Sequence, residues 1–117
     1  AYFKVKTSFF QFINCKTRDD ILSLQAQYKS TAVITKDIRE AESLYELIHD
    51  SIDISLVDAN TKSFHKDLVI IPAYVSKGLE FDSVIIYNDR HNSYKANERN
   101  LLYVACTRCQ HDLYIYN

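Results

Sequence analysis

Leu68-Val69-Ile70-Ile71-Pro72-Ala73-Tyr74-Val75-Ser76-Lys77-Gly78-Leu79-Glu80-Phe81-Asp82-Ser83-Val84-Ile85-Ile86-Tyr87 contains the only glycine of the chain. Average usage would supply about eight glycines at this length, so the single one marks a backbone position that a side chain cannot occupy. An apolar run, Leu68 to Ile71, leads in, and a second, Val84 to Tyr87, leads out. Between them stand a cation (Lys77), a turn that Gly78 permits, and a carboxylate (Glu80) followed at once by Phe81. Strand, charged turn, strand is how an α/β sheet presents polar groups at the rim of its strands, where ligands bind.

The rest of the chain fits that frame. From Ser8 to Asn14 the density of aromatic and β-branched residues predicts a strand. Thr17 then reads as a helix cap with Asp19 and Asp20 in the first turn, and Ile21, Leu22, Leu24 and Tyr28 follow at helical spacing. Ser30 to Thr35 is a short strand. Apolar residues at 38, 41, 44, 45 and 48 predict an amphipathic helix capped by Asp37. Ile52 to Val57 reads as a strand, Asp58 to Lys66 as a polar connection, and Leu68 to Tyr74 and Ser83 to Tyr87 as the strands around the glycine. Asp89 to Ala96 is then a polar loop, Asn97 to Cys109 a helix, and Leu113 to Tyr116 a last strand. Strands alternating with helices imply crossovers and a mostly parallel sheet with helices on both faces. Proline sits badly inside a central strand, so regular pairing should end near Pro72, leaving Ala73 to Ser76 on the rim.

Composition bounds the function. The 117 residues form one small domain, 1–117, with 47% hydrophobic residues, enough for an ordinary core. Fourteen Lys and Arg against fifteen Asp and Glu leave a net charge of -1, so no overall basic field holds a phosphate backbone. Three cysteines without repeated spacing, and no apolar run long enough to span a bilayer, predict a soluble cytoplasmic protein without a membrane partner. The chain has no methionine and opens at Ala1-Tyr2-Phe3, which reads as a piece of a longer protein.

Lys77 to Phe81 resembles motif V of superfamily 1 helicases of the UvrD/Rep/PcrA type, roughly K-G-L-E-F-x-x-V. Downstream, Asn97-Glu98-Arg99-Asn100-Leu101-Leu102-Tyr103-Val104-Ala105-Cys106-Thr107-Arg108 resembles motif VI, roughly E-x-R-x-L-x-Y-V-A-x-T-R-A, in the right order. The wording P-x-Y-x-x-K-G-L-E-F-D is closest to HelD-type relatives that bind bacterial RNA polymerase. The resemblance covers the second half of the chain. It implies a RecA-like fold and the second, C-terminal lobe of an ATP-dependent DNA helicase. In that setting ATP, with Mg2+ held by the N-terminal RecA-like lobe, sits between the lobes, and their movement shifts single-stranded DNA or pries at RNA polymerase.

The same resemblance assigns roles. Arg108 is the motif VI arginine that reaches the γ-phosphate, where a planar, permanently charged fork stabilises the transferring phosphoryl group. Glu80 lies by the nucleotide ribose, and Gly78 is counted with it and Arg108 among the nucleotide-binding residues. Lys77, Tyr74 and Ser76 fall on the nucleic-acid side, where a tyrosine could stack on a base. Each has a plainer alternative: an ion pair of Arg108 with Asp112 or Glu80, a bridge from Glu80 to Arg108 or Lys77, a solvated Lys77, and a core or partner contact for Tyr74. Leu101, Val104, Ala105 and Arg108 share one helical stripe, and Leu101 to Cys106 is apolar or aromatic throughout, which predicts a largely covered helix with Arg108 emerging from it. Arg99, nine residues before Arg108, falls on the opposite face at roughly 100° per residue and should pair with Asp89 or Glu98. Thr107 should hydrogen-bond the motif V turn or cap the helix end.

Several patterns are missing. Helicases of this type commonly carry Thr and His where this chain has Pro72 and Tyr74, which weakens conventional strand tracking and leaves room for a binding lobe without turnover. The motif IV arginine expected in a Y-R-S-like context has only a weak echo in Gln27-Tyr28-Lys29-Ser30. One glycine excludes a P-loop, so the chain alone is not expected to hydrolyse ATP. Cys106 and Cys109 have redox or zinc spacing, but Cys15, His49, His65, His91 and His111 offer no paired ligands, so packing is expected and no metal. No nucleophile with a base at recognisable spacing supports a hydrolase triad.

Overall fold

The computed structural model describes residues 2–6, 13–61, 67–87 and 94–116. Among them the order is β1 (Tyr2–Lys6), α1 (Ile13–Gln27), β2 (Thr31–Thr35), α2 (Ile38–Ile48), β3 (Ser55–Leu56), β4 (Leu68–Pro72), β5 (Phe81–Ile86), a 3-10 turn (Ala96–Glu98), α3 (Arg99–Cys106) and β6 (Cys109–Tyr116). The strands form one sheet in the order β1-β6-β5-β2-β4-β3. Every neighbouring pair is parallel. This is the expected α/β architecture with a parallel sheet, consistent with a RecA-like lobe.

Strand side chains alternate between faces, and two cores follow from that alternation. Val33 of β2, Leu68 and Ile70 of β4 and Ile85 of β5 join Ile21 and Leu24 of α1 and Ala41, Leu44 and Ile48 of α2. The intervening residues, Ala32 and Ile34, Val69 and Ile71, Val84 and Ile86, meet Ala105 of α3, with Val75 and Leu79 packed alongside. Covered on both faces, β2 and β4 are buried at every position, which is why they read as unbroken apolar runs.

The ends of α2 are where the sequence puts them. Asp37 Oδ1 accepts from Glu40 N at 2.9 Å, satisfying one of the amides a helix start leaves open. Pro72 is the last residue of β4, in register with Thr35. Because β3 pairs only with Val69 and Ile70, its side of β4 asks for no amide at position 72.

Other boundaries differ. Helix α1 begins at Ile13, so Thr17 lies inside it and Ile13 and Asn14 are helical rather than extended; the remainder of the strand expected over 8–14 lies outside the described residues. β1, paired at a sheet edge with residues 112–116, went unread because its partner lies at the far end of the chain. Leu22 is 49% exposed and takes no part in the core, unlike Ile21 and Leu24. Helix α3 ends at Cys106 and the final strand opens at Cys109, four residues before the expected start. α3 is also less covered than its apolar run suggested: only Ala105 is buried, and Tyr103 is 70% exposed. No helix among the described residues is long and apolar enough to cross a membrane.

Candidate functional site

The glycine turn is part of a crossover. β4 and β5 are parallel and separated by β2, so residues 73–80 must carry the chain from the carboxyl edge of the sheet back to its amino edge. Eight residues reach at most about 26 Å, and a five-residue strand is about 17 Å long, so the segment suffices without a helix. The expected single rim is therefore two rims. Tyr74 follows β4 at the carboxyl edge, whereas Glu80 precedes β5 at the amino edge.

Successive turns build the crossover. Ser76 N donates to Ala73 O at 3.1 Å, and Leu79 N donates to Ser76 O at 3.0 Å. Ser76 itself is fully buried, and its hydroxyl donates to Ala73 O at 2.7 Å. Any contact from that side chain to nucleic acid would need the turn to open. Gly78 has φ +86°, a left-handed backbone that side chains resist, while the space around it is open. Lys77 is exposed, and Tyr74 is 52% exposed.

Arg108 meets this crossover at the amino edge. It stands in the turn between α3 and β6 rather than on the helix. Its Nε donates to Val104 O at 3.0 Å, Nη1 to Leu79 O at 3.3 Å and Nη2 to Thr107 Oγ1 at 2.9 Å. All three acceptors are neutral, so these bonds fix the guanidinium without cancelling its charge. The backbone closes the same junction, Phe81 N donating to Arg108 O at 2.8 Å. Thr107 Oγ1 donates in turn to Val104 O at 2.9 Å, the helix-end role.

Glu80 is next in sequence to the carbonyl that receives Arg108. Its Oε2 accepts from Gln110 Nε2 at 2.7 Å, in place of the bridge to Arg108 or Lys77 considered from sequence. Gln110 went unnoticed in the sequence because the strand was expected to start at Leu113. Because β6 opens at Cys109, Gln110 stands among its first residues beside Phe81, the residue after Glu80, and no signal in the polar stretch 110–112 marked that. The His111 ring stacks on Tyr28 at 5.7 Å and 8°. A hydrogen bond to Asp112 raises the Tyr28 phenol above its ordinary pKa.

Arg99 lies at the opposite end of α3 from Arg108, exposed. The glutamate expected as its partner is engaged elsewhere: Glu98 Oε1 lies 2.9 Å from Lys36 Nζ and accepts from Lys95 N at 3.0 Å. Those bonds hold the Glu98 carboxyl below its ordinary pKa. Asp89 is outside the described residues. Cys106 ends α3 and Cys109 opens β6, so they do not share the helix expected to hold both. Burial raises both thiols, the inert form of the group.

Residues 67–116 match the family profile of the UvrD-like helicase C-terminal domain. The whole fold is similar to the crystal structure of the C-terminal domain of a possible DNA helicase from Lactobacillus plantarum WCFS1, with a TM-score of 0.78 and 27% identity over 98% of this chain and 71% of that one. No curated protein matches the chain. Sequence profile and fold agree that the chain is similar to helicase C-terminal domains.

Proposed function

We propose that the chain is the second RecA-like lobe of an ATP-dependent superfamily 1 DNA helicase or translocase, lending Arg108 and Glu80 to an ATP held chiefly by a first lobe. The observation that carries this reading is the junction at the amino edge. There a guanidinium bonded, among the described residues, to neutral oxygens alone and a carboxylate held by an amide flank one carbonyl, that of Leu79. A guanidinium fixed by neutral acceptors suits the charge that develops on a transferring phosphoryl group. A carboxylate accepting from hydroxyls suits a ribose. The bound nucleotide, with its Mg2+, supplies the phosphoanhydride bond. The chain has no P-loop of its own to cradle it.

In this reading the bonds to Val104, Leu79 and Thr107 hold Arg108 ready before the lobes close, so little reorganisation is needed at the reaction. Tyr74 and Lys77, carried by the same crossover, face nucleic acid, Tyr74 by stacking on a base. The test is Arg108→Ala in the full-length protein. Turnover of ATP should fall on the order of a thousandfold, the usual weight of an arginine finger. Unchanged turnover would overturn the assignment.

A second reading has its own support. Pro72 and Tyr74 stand where this kind of helicase commonly has Thr and His, and a net charge of -1 gives little attraction for a phosphate backbone. These suit a HelD-like lobe that works on RNA polymerase, or a lobe that binds a partner without turnover. ATPase measured with single-stranded DNA, with RNA polymerase and with neither separates the three: stimulation by DNA supports the first reading, stimulation by polymerase the second, and no turnover at all the third.

A further inference from the structure

Gln110 holds the Glu80 carboxylate at the amino edge, and what that hold does for the bound nucleotide is a further question. Its Nε2 stands 2.7 Å from Glu80 Oε2, short for an amide donor and typical of a bond to an ionised acceptor. Both residues are exposed, so the bond is not forced by burial and neither side chain contributes to the core. The opening of β6 thus holds both halves of the pair: Arg108 is fixed on Leu79 O, and Glu80 is fixed by Gln110. An unrestrained glutamate at a strand start samples many rotamers, and only some present an oxygen outward. We infer that Gln110 is a positioning residue: it engages one oxygen of Glu80 so that the other is turned to accept from a nucleotide's ribose hydroxyls. This rests on the reading of Glu80 given above, and predicts that discrimination between ribose and deoxygenated sugars depends on a donor at position 110.

The experiment compares kcat/KM for ATP with that for 2′,3′-dideoxy-ATP in the full-length protein. Gln110→Ala should lower this ratio about three- to tenfold, the weight of one solvated hydrogen bond to a charged group, and should do so through KM rather than kcat. Gln110→Glu, which puts an acceptor against an acceptor, should lower it at least as far. Gln110→Lys restores a donor and should recover most of the ratio, which a merely structural role would not require. Glu80→Ala should lower the ratio furthest, and adding Gln110→Ala to it should have no further effect. If Glu80→Ala lowers the ratio while Gln110→Ala leaves it at the wild-type value, the role of Gln110 is overturned and the reading of Glu80 stands. If Glu80→Ala also leaves it unchanged, Glu80 does not meet the ribose, and both fall.

Discussion

Arg108 Nη1 donates to the carbonyl of Leu79 over 3.3 Å, so the turn that joins α3 to β6 is fastened to the last turn of the glycine crossover. A variant at Arg108 therefore removes a brace as well as a charge. Three partly solvated hydrogen bonds go with the side chain, and Arg108→Ala should destabilise this chain by about 1–2 kcal/mol. Set against a typical stability of roughly 5–15 kcal/mol, that leaves the fold populated. Urea denaturation beside the ATPase assay should show a modest shift in midpoint with a far larger loss of turnover. A midpoint lost altogether would mean that the arginine is chiefly structural.

Gly78 calls for a different argument, because nothing lies within 4 Å of where a β-carbon would stand. Only its φ of +86° resists substitution. Gly78→Ala should cost about 1–2 kcal/mol, the penalty of left-handed backbone, with no added clash. Gly78→Asn should cost less, since asparagine tolerates that region better. The melting temperature should fall by roughly 3–5 °C per kcal/mol in a domain of this size. Equal losses for Ala and Asn would point to a contact rather than to the dihedral.

The fold was legible where burial on both faces wrote unbroken apolar runs, as in β2 and β4, and where a cap such as Asp37 marked a helix start. It was illegible where position depended on distant partners. β1 lies at an edge and owes its existence to β6. The early opening of β6 at Cys109 could not be read from the polar residues Gln110, His111 and Asp112, because pairing with β5, not apolar content, extends that strand. The sequence singled out Arg108 and Glu80 through their motifs, but only the strand order shows that Tyr74 and Glu80, six residues apart, belong to opposite edges of the sheet. Crossover geometry is a property of the sheet, not of the segment that crosses.

Thr31 and Ser83 pair their hydroxyls at 2.8 Å between β2 and β5, both fully buried. Thr31→Val preserves shape but strands the serine, and should cost about 1–3 kcal/mol. Ser83→Ala should likewise strand the threonine. The double variant removes both polar groups and should be less destabilised than the two singles added together, a coupling readable in a double-mutant cycle. Strict additivity would show that the hydroxyls do not rely on each other.

Lys36 and Glu98 tie the end of β2 to the start of α3 at the carboxyl edge, 2.9 Å apart. The folded pKa of Glu98 is lowered, by the hydrogen bond from Lys36 first and the Lys95 amide second. A depressed carboxyl binds fewer protons folded than unfolded, so its contribution is present above the ordinary value of 4.5 and is lost as pH falls through the folded value. Glu98→Gln should therefore flatten the acid limb of the stability curve while changing little above it beyond the loss of the pair. High salt should shrink the difference only in part, since both side chains of the pair are largely covered and screened less than a surface pair. An acid limb identical in both proteins would remove Glu98 from the account.

Tyr94 should reverse the usual sign of a core substitution. Its hydroxyl is buried and has no hydrogen-bond partner among the described residues, while its ring packs on the core beneath α3. A buried hydroxyl without a partner carries its desolvation cost uncompensated, so Tyr94→Phe keeps the ring, removes the cost and should stabilise the chain by about 1 kcal/mol. Burial is the main reason the phenol is held well above its ordinary pKa of 10.0, with Glu40 adding to it. A raised folded pKa means that the native state keeps a proton the unfolded chain gives up. Stability is therefore undiminished below the ordinary value and declines as pH climbs past it. In Tyr94→Phe that alkaline decline should be shallower. Denaturant titrations at neutral pH and above pH 10 check both signs together. A phenylalanine variant less stable than the wild type at neutral pH would show that the hydroxyl does have a partner, and that this part of the core is built around it.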